Sequence, residues 1–382
     1  MTDVDKLDDS YHEVEVPGFP IQWSRDLRPA SGEVPWLWEG YLAPYHVTLL
    51  TSQWKSGKTT LVSVLLARRA AGGTFADRAL KPGRTAVVCE ETHDLWEQRR
   101  RTLDFGDGVA FLFQPFSQRK PSYDDWQRLL ETVGRLNHTD GVDLLVIDPL
   151  ASFLPAFSEN ASDLMLTALS ALDRVLQSGM AVLLLHHPKK GPTLAGQAAR
   201  GPGTLSSFVD ISVEIRPYHS LNDPDRRRVL QAWSRFPKTP RQLVMEWTAD
   251  GTDYRGRGAV EDEEYREHWE QLAAFFATAP EKLTRRELRA LLPTGRSAPS
   301  DTTLWRWLDR AIAAQLLRRD GTGHRNAPFR YWTPAREAEW MNDPHMRWTL
   351  QQEADHAELM EALSRQPEPV TEKTKRARDR RR

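Results

Sequence analysis

Short apolar runs alternate with amphipathic segments between residues 35 and 249 of the chain. The amphipathic segments have helical spacing, whereas the runs are five to eight residues long and rich in valine, leucine and isoleucine. Such runs are typical of buried strands, and strands that alternate with helices require crossover connections, which favour a mostly parallel sheet. The pattern predicts an α/β domain with the strands HVTLL (46–50), AVVCE (86–90), LLVID (144–148), AVLLL (181–185) and FVDISVEI (208–215).

A second, smaller domain is predicted in residues 265–334, after a glycine- and charge-rich stretch at 250–264 that predicts a linker. Three segments with helical spacing are followed by two strand-like arms around a glycine-rich tip, and Thr284 and Glu287 have the spacing of a capping box. Three helices followed by a hairpin resemble a winged helix-turn-helix domain, which binds either DNA or protein. One face of the third helix is predicted to carry Leu304, Trp307, Leu308, Ile312 and Leu316.

The charge of the chain is balanced overall but unevenly distributed. Its 52 lysines and arginines nearly cancel 53 aspartates and glutamates, and the net charge of −1 indicates no global attraction to a polyanion. Residues 1–34 form an acidic extension, and residues 335–366 are compatible with a helical extension. The last segment, 367–382, is basic; we expect a disordered tail there, or alternatively one that contacts nucleic acid phosphates.

The remaining composition excludes several classes of protein. A single cysteine, Cys89, excludes an intramolecular disulfide framework and a metal site built from several cysteines. The first thirty residues lack the apolar core of a secretory signal, and no run of about eighteen apolar residues could span a membrane. We therefore expect a cytoplasmic protein with two domains and no membrane partner.

Between a predicted strand and a predicted helix, Gly57, Lys58 and Thr59 match the second half of the phosphate-binding pattern G-x-x-x-x-G-K-[ST]. In that pattern the glycine turns backbone N–H groups towards a phosphate, the lysine reaches the β- and γ-oxygens, and the threonine ligates Mg²⁺. The alternative is a glycine-capped loop before an ordinary core helix. The predicted ATP-binding residues are Ser52, which replaces the first glycine, Gln53, Trp54, Lys55, Ser56, Gly57, Lys58, Thr59 and Thr60.

Three further strands end in polar side chains that suit the same site. Asp148 ends LLVID, where a carboxylate can hold Mg²⁺ beside Thr59. Glu90 and Glu91 end the AVVCE strand and supply candidates for the base that orients water, and His187 follows AVLLL, where it is placed to sense a γ-phosphate. The alternatives are a solvated aspartate at a strand end and a loop histidine bonded to backbone.

Several motifs occur in a fixed order along residues 35–248: PWLWEG (35–40), WKSGKTTL (54–61), CEET (89–92), VIDPLASFLP (146–155), LLLHHPKKG (183–191), ARGPGTLSSFVDISVEI (199–215) and WSRF (233–236). This series resembles RecA-type P-loop ATPases. It is most similar to the RepA-like branch of AAA-domain proteins, which is related to KaiC and to hexameric replicative helicases such as DnaB. The resemblance implies a RecA-like core that uses ATP and Mg²⁺.

The resemblance also implies catalytic roles for individual residues. Glu90 matches the glutamate that polarises the attacking water, Glu91 matches a second acid, and His187 resembles the γ-phosphate sensor. Arg235 resembles an arginine finger that enters the site of a neighbouring subunit, which implies a homo-oligomeric ring or filament. The chain departs from the helicases at Trp233, where they often place a basic residue.

Contact with DNA is a further implication of the resemblance. The segments 151–163 and 188–205 correspond to loops that line the central path for single-stranded DNA, although the first could be a plain connection. In the winged-helix-like domain, the third helix and the wing present arginines to DNA unless the domain docks protein instead. The residues predicted to contact DNA are Lys189, Lys190, Arg200, Arg306, Arg310 and Arg325.

Two functions from different classes follow from these residues. The first is an oligomeric ATP-driven motor on DNA, in the manner of a RepA-like replicative helicase. The second is a RecA-type nucleotide switch that assembles on DNA or a protein partner, in repair, recombination or regulation, without unwinding. No segment of the sequence suggests a primase or strand-pairing domain, so neither activity is implied.

Overall fold

A computed structural model describes residues 23–26, 33–52, 56–116, 119–155, 162–187, 203–220, 224–292, 299–325, 327–342 and 344–364. The chain divides into two compact units. The first comprises Met1–Ile215, Ala232–Pro240 and Ala249–Asp253, and the second comprises Arg216–Gln231, Arg241–Thr248 and Tyr254–Arg382. The division differs from the predicted domain boundary at residue 249, because the chain passes between the units several times after residue 215.

The first unit is built from alternating strands and helices. They are β1 (Val47–Thr51), α1 (Lys58–Ala71), β2 (Gly73–Phe75), β3 (Arg78–Leu80), β4 (Arg84–Cys89), α2 (His93–Arg100), β5 (Val109–Phe113), α3 (Tyr123–Asp140), β6 (Val142–Asp148), α4 (Leu150–Phe153), α5 (Ser162–Ser170), α6 (Asp173–Gln177), β7 (Ala181–His186), α7 (Gly203–Phe208) and β8 (Ile211–Pro217), whose last two residues belong to the second unit.

The central sheet of this unit has the strand order β8-β1-β7-β6-β4-β5, and each neighbouring pair is parallel. Thr51 of β1 pairs with His186 of β7, and Cys89 of β4 pairs with Asp148 of β6. The carboxyl ends of these strands therefore lie along one edge of the sheet. The predicted α/β class with a mostly parallel sheet is confirmed, and the architecture fits a P-loop NTPase core.

Helix α3 shows how the sequence builds the layer on one face of this sheet. Ser122 accepts from the backbone N–H of Asp125 while the Asp125 carboxylate accepts from the N–H of Ser122, so a capping box begins the helix. Gly141 ends it in the left-handed conformation. Between these ends, the fully buried Trp126 donates from Nε1 to the carbonyl of Ala168 at 2.9 Å and joins the apolar core with residues of β1, β4, β6 and β7.

A buried arginine fixes the helix that follows the phosphate-binding motif. Arg69 of α1 is 1% exposed, and it donates to Thr85 Oγ1 at 2.8 Å and to Asp143 Oδ1 at 2.6 Å. Thr85 lies on β4 and Asp143 on β6, so one side chain ties α1 to two strands of the sheet. A buried, hydrogen-bonded pair of this kind fixes geometry more surely than it adds stability.

The second unit combines strands and helices in a different order. They are β9 (Arg227–Ser234), whose last three residues belong to the first unit, β10 (Gln242–Trp247), β11 (Tyr254–Gly258), α8 (Val260–Thr278), β12 (Leu283–Thr284), α9 (Arg285–Leu291), α10 (Asp301–Ala313), β13 (Arg318–Asp320), β14 (Arg330–Trp332), α11 (Pro334–Asn342) and α12 (Pro344–Ser364). Strand β10 pairs antiparallel with β9 and β11, and β14 pairs antiparallel with β12 and β13.

The linker predicted at 250–264 is wrong for most of its length, because β11 and the first turn of α8 occupy residues 254–258 and 260–264. Glu263 of α8 is completely buried, and Arg227 and Arg257 donate to its carboxylate at 2.8 and 2.9 Å. Arg266 donates to the same carboxylate. Arg257 and Glu263, two of the charged residues that suggested solvated chain, are therefore paired with each other inside the unit.

Helices α8, α9 and α10 of the second unit contribute to one apolar core. Thr284 and Glu287 form the predicted capping box at the start of α9, and the Ser300 side chain caps α10. Leu304 and Leu308 of α10 are fully buried. The prediction for Leu316 is wrong: α10 ends at Ala313, and Leu316 lies in the turn that follows and is 41% exposed.

Some sequence predictions fall on residues that the structure does not describe. Most of the acidic extension (1–22 and 27–32) and the whole basic tail (367–382) lie outside the described residues, whereas α11 and α12 occupy most of the range 335–366. Among the described helices, none has both the length and the apolar character required to cross a membrane.

Candidate functional site

The phosphate-binding motif lies where β1 ends and α1 begins. Gly57 has φ 96° and ψ 23°, a left-handed conformation that favours glycine. The backbone conformation is the reason for glycine here rather than a lack of space, because an added Cβ would meet no atom within 4 Å. Gly57 has no side chain to cap α1, and the first turn of α1 has no acidic residue. This turn includes the half-buried Thr60. The N–H groups of this turn are thus suited to an anion. Gln53, Trp54 and Lys55 lie outside the described residues.

Lys58 is buried at the centre of the site. Its side chain is 5% exposed, and Nζ donates to Ser52 Oγ at 2.6 Å and lies 3.1 Å from Nδ1 of His187. Burial lowers the pKa of Lys58 to about 8, although nearby Asp148 acts in the opposite direction. An anionic phosphate beside Nζ would favour the charged ammonium and replace the water that Lys58 has lost.

The contact with Lys58 also bears on the protonation of His187. Burial is the main cause that lowers the pKa of His187, followed by the charge of Lys58, so the imidazole is favoured in its neutral form. Because an ammonium group only donates hydrogen bonds, Nδ1 must accept, and the ring proton then belongs on Nε2. His187 can therefore offer an N–H group to an anion, as a phosphate sensor requires.

Two serine hydroxyls in this loop suit the recognition of phosphate. Ser52, which stands where the motif has its first glycine, is fully buried and is not among the described non-glycine residues with positive φ. Its hydroxyl instead accepts from Lys58 and so positions the ammonium. Ser56 is 2% exposed, and its hydroxyl has no hydrogen-bond partner in the described part of the chain. A buried polar group normally has a partner, and a ligand oxygen that reached Ser56 would supply one.

Thr59 and Asp148 supply two oxygen atoms for a cation. Thr59 Oγ1 donates to Asp148 Oδ2 at 3.1 Å, as the order of the strands predicts. Burial raises the pKa of Asp148 to about 6, and the hydrogen bond from Thr59 opposes that effect. A divalent cation would favour the charged carboxylate. Across the described residues there is no group of three His, Cys, Asp or Glu side chains that could hold a metal.

Glu90 lies at the same edge of the sheet as Asp148. Its backbone N–H donates to the carbonyl of Asp148 at 3.2 Å. The charge of its exposed carboxylate raises the pKa of Asp148 and also acts to raise the pKa of His187, against the effect of burial. The carboxylate therefore lies within electrostatic reach of both groups. Ser152 Oγ donates to Glu90 Oε2 at 2.6 Å. Glu90 thus lies near the pair formed by Thr59 and Asp148, although the charge of Glu91 raises the pKa of Asp148 more than that of Glu90 does.

The carboxylate of Glu91, the predicted second acid, is held by an arginine. Arg99 of α2 donates to both of its carboxylate oxygens, at 2.5 and 2.9 Å. The guanidinium also lies over the ring of Trp96, 4.7 Å from its centroid. Neither this pair nor the contact of Ser152 with Glu90 was predicted from the sequence. The spacing of Arg99 from Glu91 across the first turns of α2 was the available signal for the pair.

Arg235 is exposed on the surface of the first unit. Its side chain is 77% exposed, and Nη1 lies 3.9 Å from Asp210 Oδ1. Among the described residues, Arg235 contacts Asp210 and none of the predicted phosphate-site residues. Asp210 in turn accepts from the backbone N–H of Val47 at 3.1 Å, which keeps this carboxylate at the start of β1. An arginine in this position remains accessible to another molecule.

The residues predicted to contact DNA fall into three groups. Lys189, Lys190 and Arg200 lie outside the described residues. Arg306 and Arg325 are exposed in the second unit. Arg310 pairs with Asp262 at 2.8 Å, and its guanidinium lies 4.2 Å from the centroid of the Tyr265 ring, so its side chain is directed to α8. The structure therefore weakens the case for Arg310 as a DNA contact.

Comparison with known proteins relates part of the chain to a protein family. No curated protein of known function is significantly similar to the chain. A family model described as an AAA domain matches residues 13–193, a range that includes Lys58, Thr59, Glu90, Asp148 and His187 and ends before Arg235. Over residues 13–193 the chain therefore matches an AAA domain, a family of P-loop ATPases.

Proposed function

We propose that this protein is an ATP-binding and ATP-hydrolysing RecA-type motor that assembles into homo-oligomers and acts on DNA in the cytoplasm, most like a RepA-like replicative helicase. One observation carries the proposal: Thr59 contacts Asp148 at 3.1 Å beside the buried Lys58, at the sheet edge where Glu90 also lies. The match of residues 13–193 to an AAA domain supports the ATPase activity.

The proposed reaction is hydrolysis of ATP to ADP and phosphate. Water attacks the γ-phosphorus, the bond to the β–γ bridging oxygen breaks, and Glu90 orients the water and takes up its proton. Lys58 and Nε2–H of His187 hold oxygens of the γ-phosphate, where negative charge develops. Thr59 and Asp148 are the residues that would hold Mg²⁺, which supplies neutralisation of phosphate charge when bound.

The proposed assembly follows from Arg235. This arginine is 77% exposed and 3.9 Å from its nearest carboxylate partner, a loose pair that another anion can replace. In the proposal, Arg235 of one copy reaches the phosphate site of the next copy. Such head-to-tail contact between identical subunits forms a closed ring or an open filament.

Contact with DNA is supported by the chemistry of the second unit, for which we propose a winged-helix-like module. A cavity of about 490 Å³, the arginine cavity, is lined by α9 and by the segment between β13 and β14. Arg289 donates to the carbonyl of Pro299, and its Nε lies 3.8 Å from Asp301 Oδ1. The other cations of the lining, Arg285, Arg286 and Arg325, are exposed, and the half-buried Phe329 also contributes to the lining. A groove lined by several exposed cations is typical of sites that bind the nucleic acid backbone.

Removing two of these arginines should weaken binding to DNA. We expect Arg286→Ala with Arg325→Ala to reduce affinity for an oligonucleotide and to reduce the slope of log K against log salt by about one to two, since each phosphate contact contributes nearly one. Fluorescence anisotropy at several salt concentrations measures both quantities. Arg255→Ala, at an exposed position of β11, is the matched control and should leave the slope unchanged. A greater loss from Arg306→Ala would instead favour the α10 face.

The central test of the proposed function is ATP turnover with and without single-stranded DNA, combined with mass measurement of the assembly. The motor requires turnover that DNA stimulates, and a multimer in the presence of ATP. Slow turnover that DNA does not change, with a shape that differs between ATP and ADP, would favour the nucleotide switch. Absence of turnover under all conditions would reject the ATPase itself.

A further inference from the structure

One face of the three-stranded sheet in the second unit carries polar and charged side chains. In this sheet β14 lies between β12 and β13, and Arg330 of β14 pairs with Thr284 of β12 and with Asp320 of β13. Side chains that are directly opposite each other lie on the same face of a sheet, and Trp332, two residues along β14, shares that face. The adjacent pair of residues on β12 and β14 belongs to the apolar core, so the polar face is the outer one.

Glu353 of α12 lies against this outer face. Its Oε2 accepts from Lys282 Nζ at 2.5 Å, and its Oε1 lies 3.6 Å from Arg330 Nη1. Of the α12 side chains that the structure describes, Glu353 is half-buried and the others are exposed. The described part of α12 thus places an acidic side chain between two cations of the sheet.

The two cations differ in how firmly they hold Glu353. Lys282 is 9% exposed, and its ammonium also binds Asp320 at 2.7 Å and lies 4.6 Å from the centroid of the Trp332 ring. Burial acts to lower the pKa of Lys282, but the two carboxylates raise it overall, and Asp320 would still balance this charge without Glu353. The side chain of Arg330 is 46% exposed, and its longer contact is a loose pair that another anion can replace.

The outer face borders the arginine cavity. Thr284 contributes to the lining of that cavity and pairs directly with Arg330, and the exposed Arg285 and Arg286 of the same lining follow Thr284 in the sequence. An acid also lies nearby: hydrogen bonds from Thr284 lower the pKa of Glu287, and the charge of Arg330 adds to this effect. Because the Glu287 carboxylate already caps α9, it does not replace Glu353 as a partner for Arg330. Arg330 is therefore a further cation at the border of the cavity.

We propose that the outer face continues the DNA-binding surface of the arginine cavity, and that α12 covers it with Glu353, whose carboxylate stands where a DNA phosphate would bind Arg330. A carboxylate and a phosphate both accept from a guanidinium group, so DNA and α12 compete for the same cation. The inference rests on the proposed function and adds to it a covered part of the DNA-binding surface.

The decisive variant is Glu353→Gln in the full chain. It removes the charge that holds Arg330 and keeps the size of the side chain, so affinity for DNA should rise by about threefold, the effect of an exposed ion pair. The slope of log K against log salt should become steeper by about one, because one more phosphate is neutralised. Fluorescence anisotropy with an oligonucleotide, as a single strand and as a duplex, measures both quantities. Glu358→Gln makes the same change at an exposed position of α12 and should leave the slope unchanged.

A second pair of variants tests whether Arg330 is the cation that Glu353 covers. In the wild-type background, Arg330→Ala should change DNA affinity little, because a carboxylate already occupies the guanidinium. In the Glu353→Gln background, the same substitution should remove both the gain in affinity and the steeper slope. A purely structural role of Glu353 would lower the melting temperature without this dependence of one substitution on the other.

The displacement of α12 is tested by hydrogen exchange of the wild-type protein. Backbone amides of residues 351–362 should exchange faster when DNA is bound, because the contact that holds this part of the helix is lost. Amides of α3, which lies in the first unit, provide the comparison and should not exchange faster.

Several results would overturn the inference and leave the proposed function intact. One is the same DNA affinity and slope in Glu353→Gln and Glu358→Gln. Another is an equal loss from Arg330→Ala in both backgrounds, which would mean that Arg330 is already accessible to DNA. Unchanged exchange of residues 351–362 with DNA bound would also overturn it. If DNA binds neither to the wild type nor to any variant, the DNA contact of the proposed function is itself rejected.

Discussion

Replacement of Lys58 by alanine is expected to abolish measurable binding of ATP at concentrations that saturate the wild type. The ammonium lies in a pocket from which most water is excluded, between the hydroxyl of Ser52 and the imidazole of His187. Loss of one partner from a buried, charged hydrogen bond costs about 2–5 kcal/mol, or about 30-fold to several thousand-fold in affinity. Isothermal titration calorimetry with ATP and Mg²⁺ measures this loss.

The stability of the unliganded variant distinguishes this effect from unfolding. Burial penalises the charged form of Lys58, which is why its pKa is lowered to about 8, so removal of the charge should not destabilise the empty protein greatly. Lys58→Met retains most of the side-chain volume and separates the loss of charge from the creation of a cavity. ATP should raise the melting temperature of the wild type but of neither variant. Normal ATP affinity in Lys58→Met would contradict the assigned site.

The local parts of the site were predictable from the sequence because each depends on a short pattern. The apolar runs at 46–50, 86–90, 144–148 and 181–185 correspond to β1, β4, β6 and β7, and their polar ends meet because parallel strands end at one edge of a sheet. Strand β5 was missed although its sequence, VAFLF, is also a short apolar run. The sequence pattern for β5 was therefore present but was not recognised.

Other contacts depend on the three-dimensional fold and leave no local pattern. Ser152 and Glu90 are 62 residues apart, and Lys120 reaches Ala151 across 31 residues, so neither pair follows from helical or strand periodicity. The prediction of a linker at 250–264 was wrong for a related reason. Its glycines and charges suggested a linker, but the burial of Glu263 among arginines is decided by tertiary packing.

The replacement Glu90→Gln is expected to separate binding from hydrolysis. An amide has the size of the carboxylate and can still accept from Ser152, so ATP affinity and folding should remain close to the wild type. It cannot take up the proton of the attacking water, and loss of a general base typically lowers turnover by about 10²–10⁴-fold. Single-turnover measurement of phosphate release, with ATP binding measured separately, gives the two quantities.

Glu91→Gln is the matched comparison, because the two glutamates are adjacent in sequence and differ in their partners. Glu91 is held by both nitrogens of Arg99, so its substitution should loosen a partly exposed ion pair, at a cost of about 1 kcal/mol or less, with a smaller effect on hydrolysis. If Glu91→Gln loses turnover and Glu90→Gln does not, the base is Glu91, and Arg99 must release it before each reaction. The pair of variants thus decides which carboxylate acts on water, since the sequence places both at the end of one strand and only their hydrogen-bond partners distinguish them.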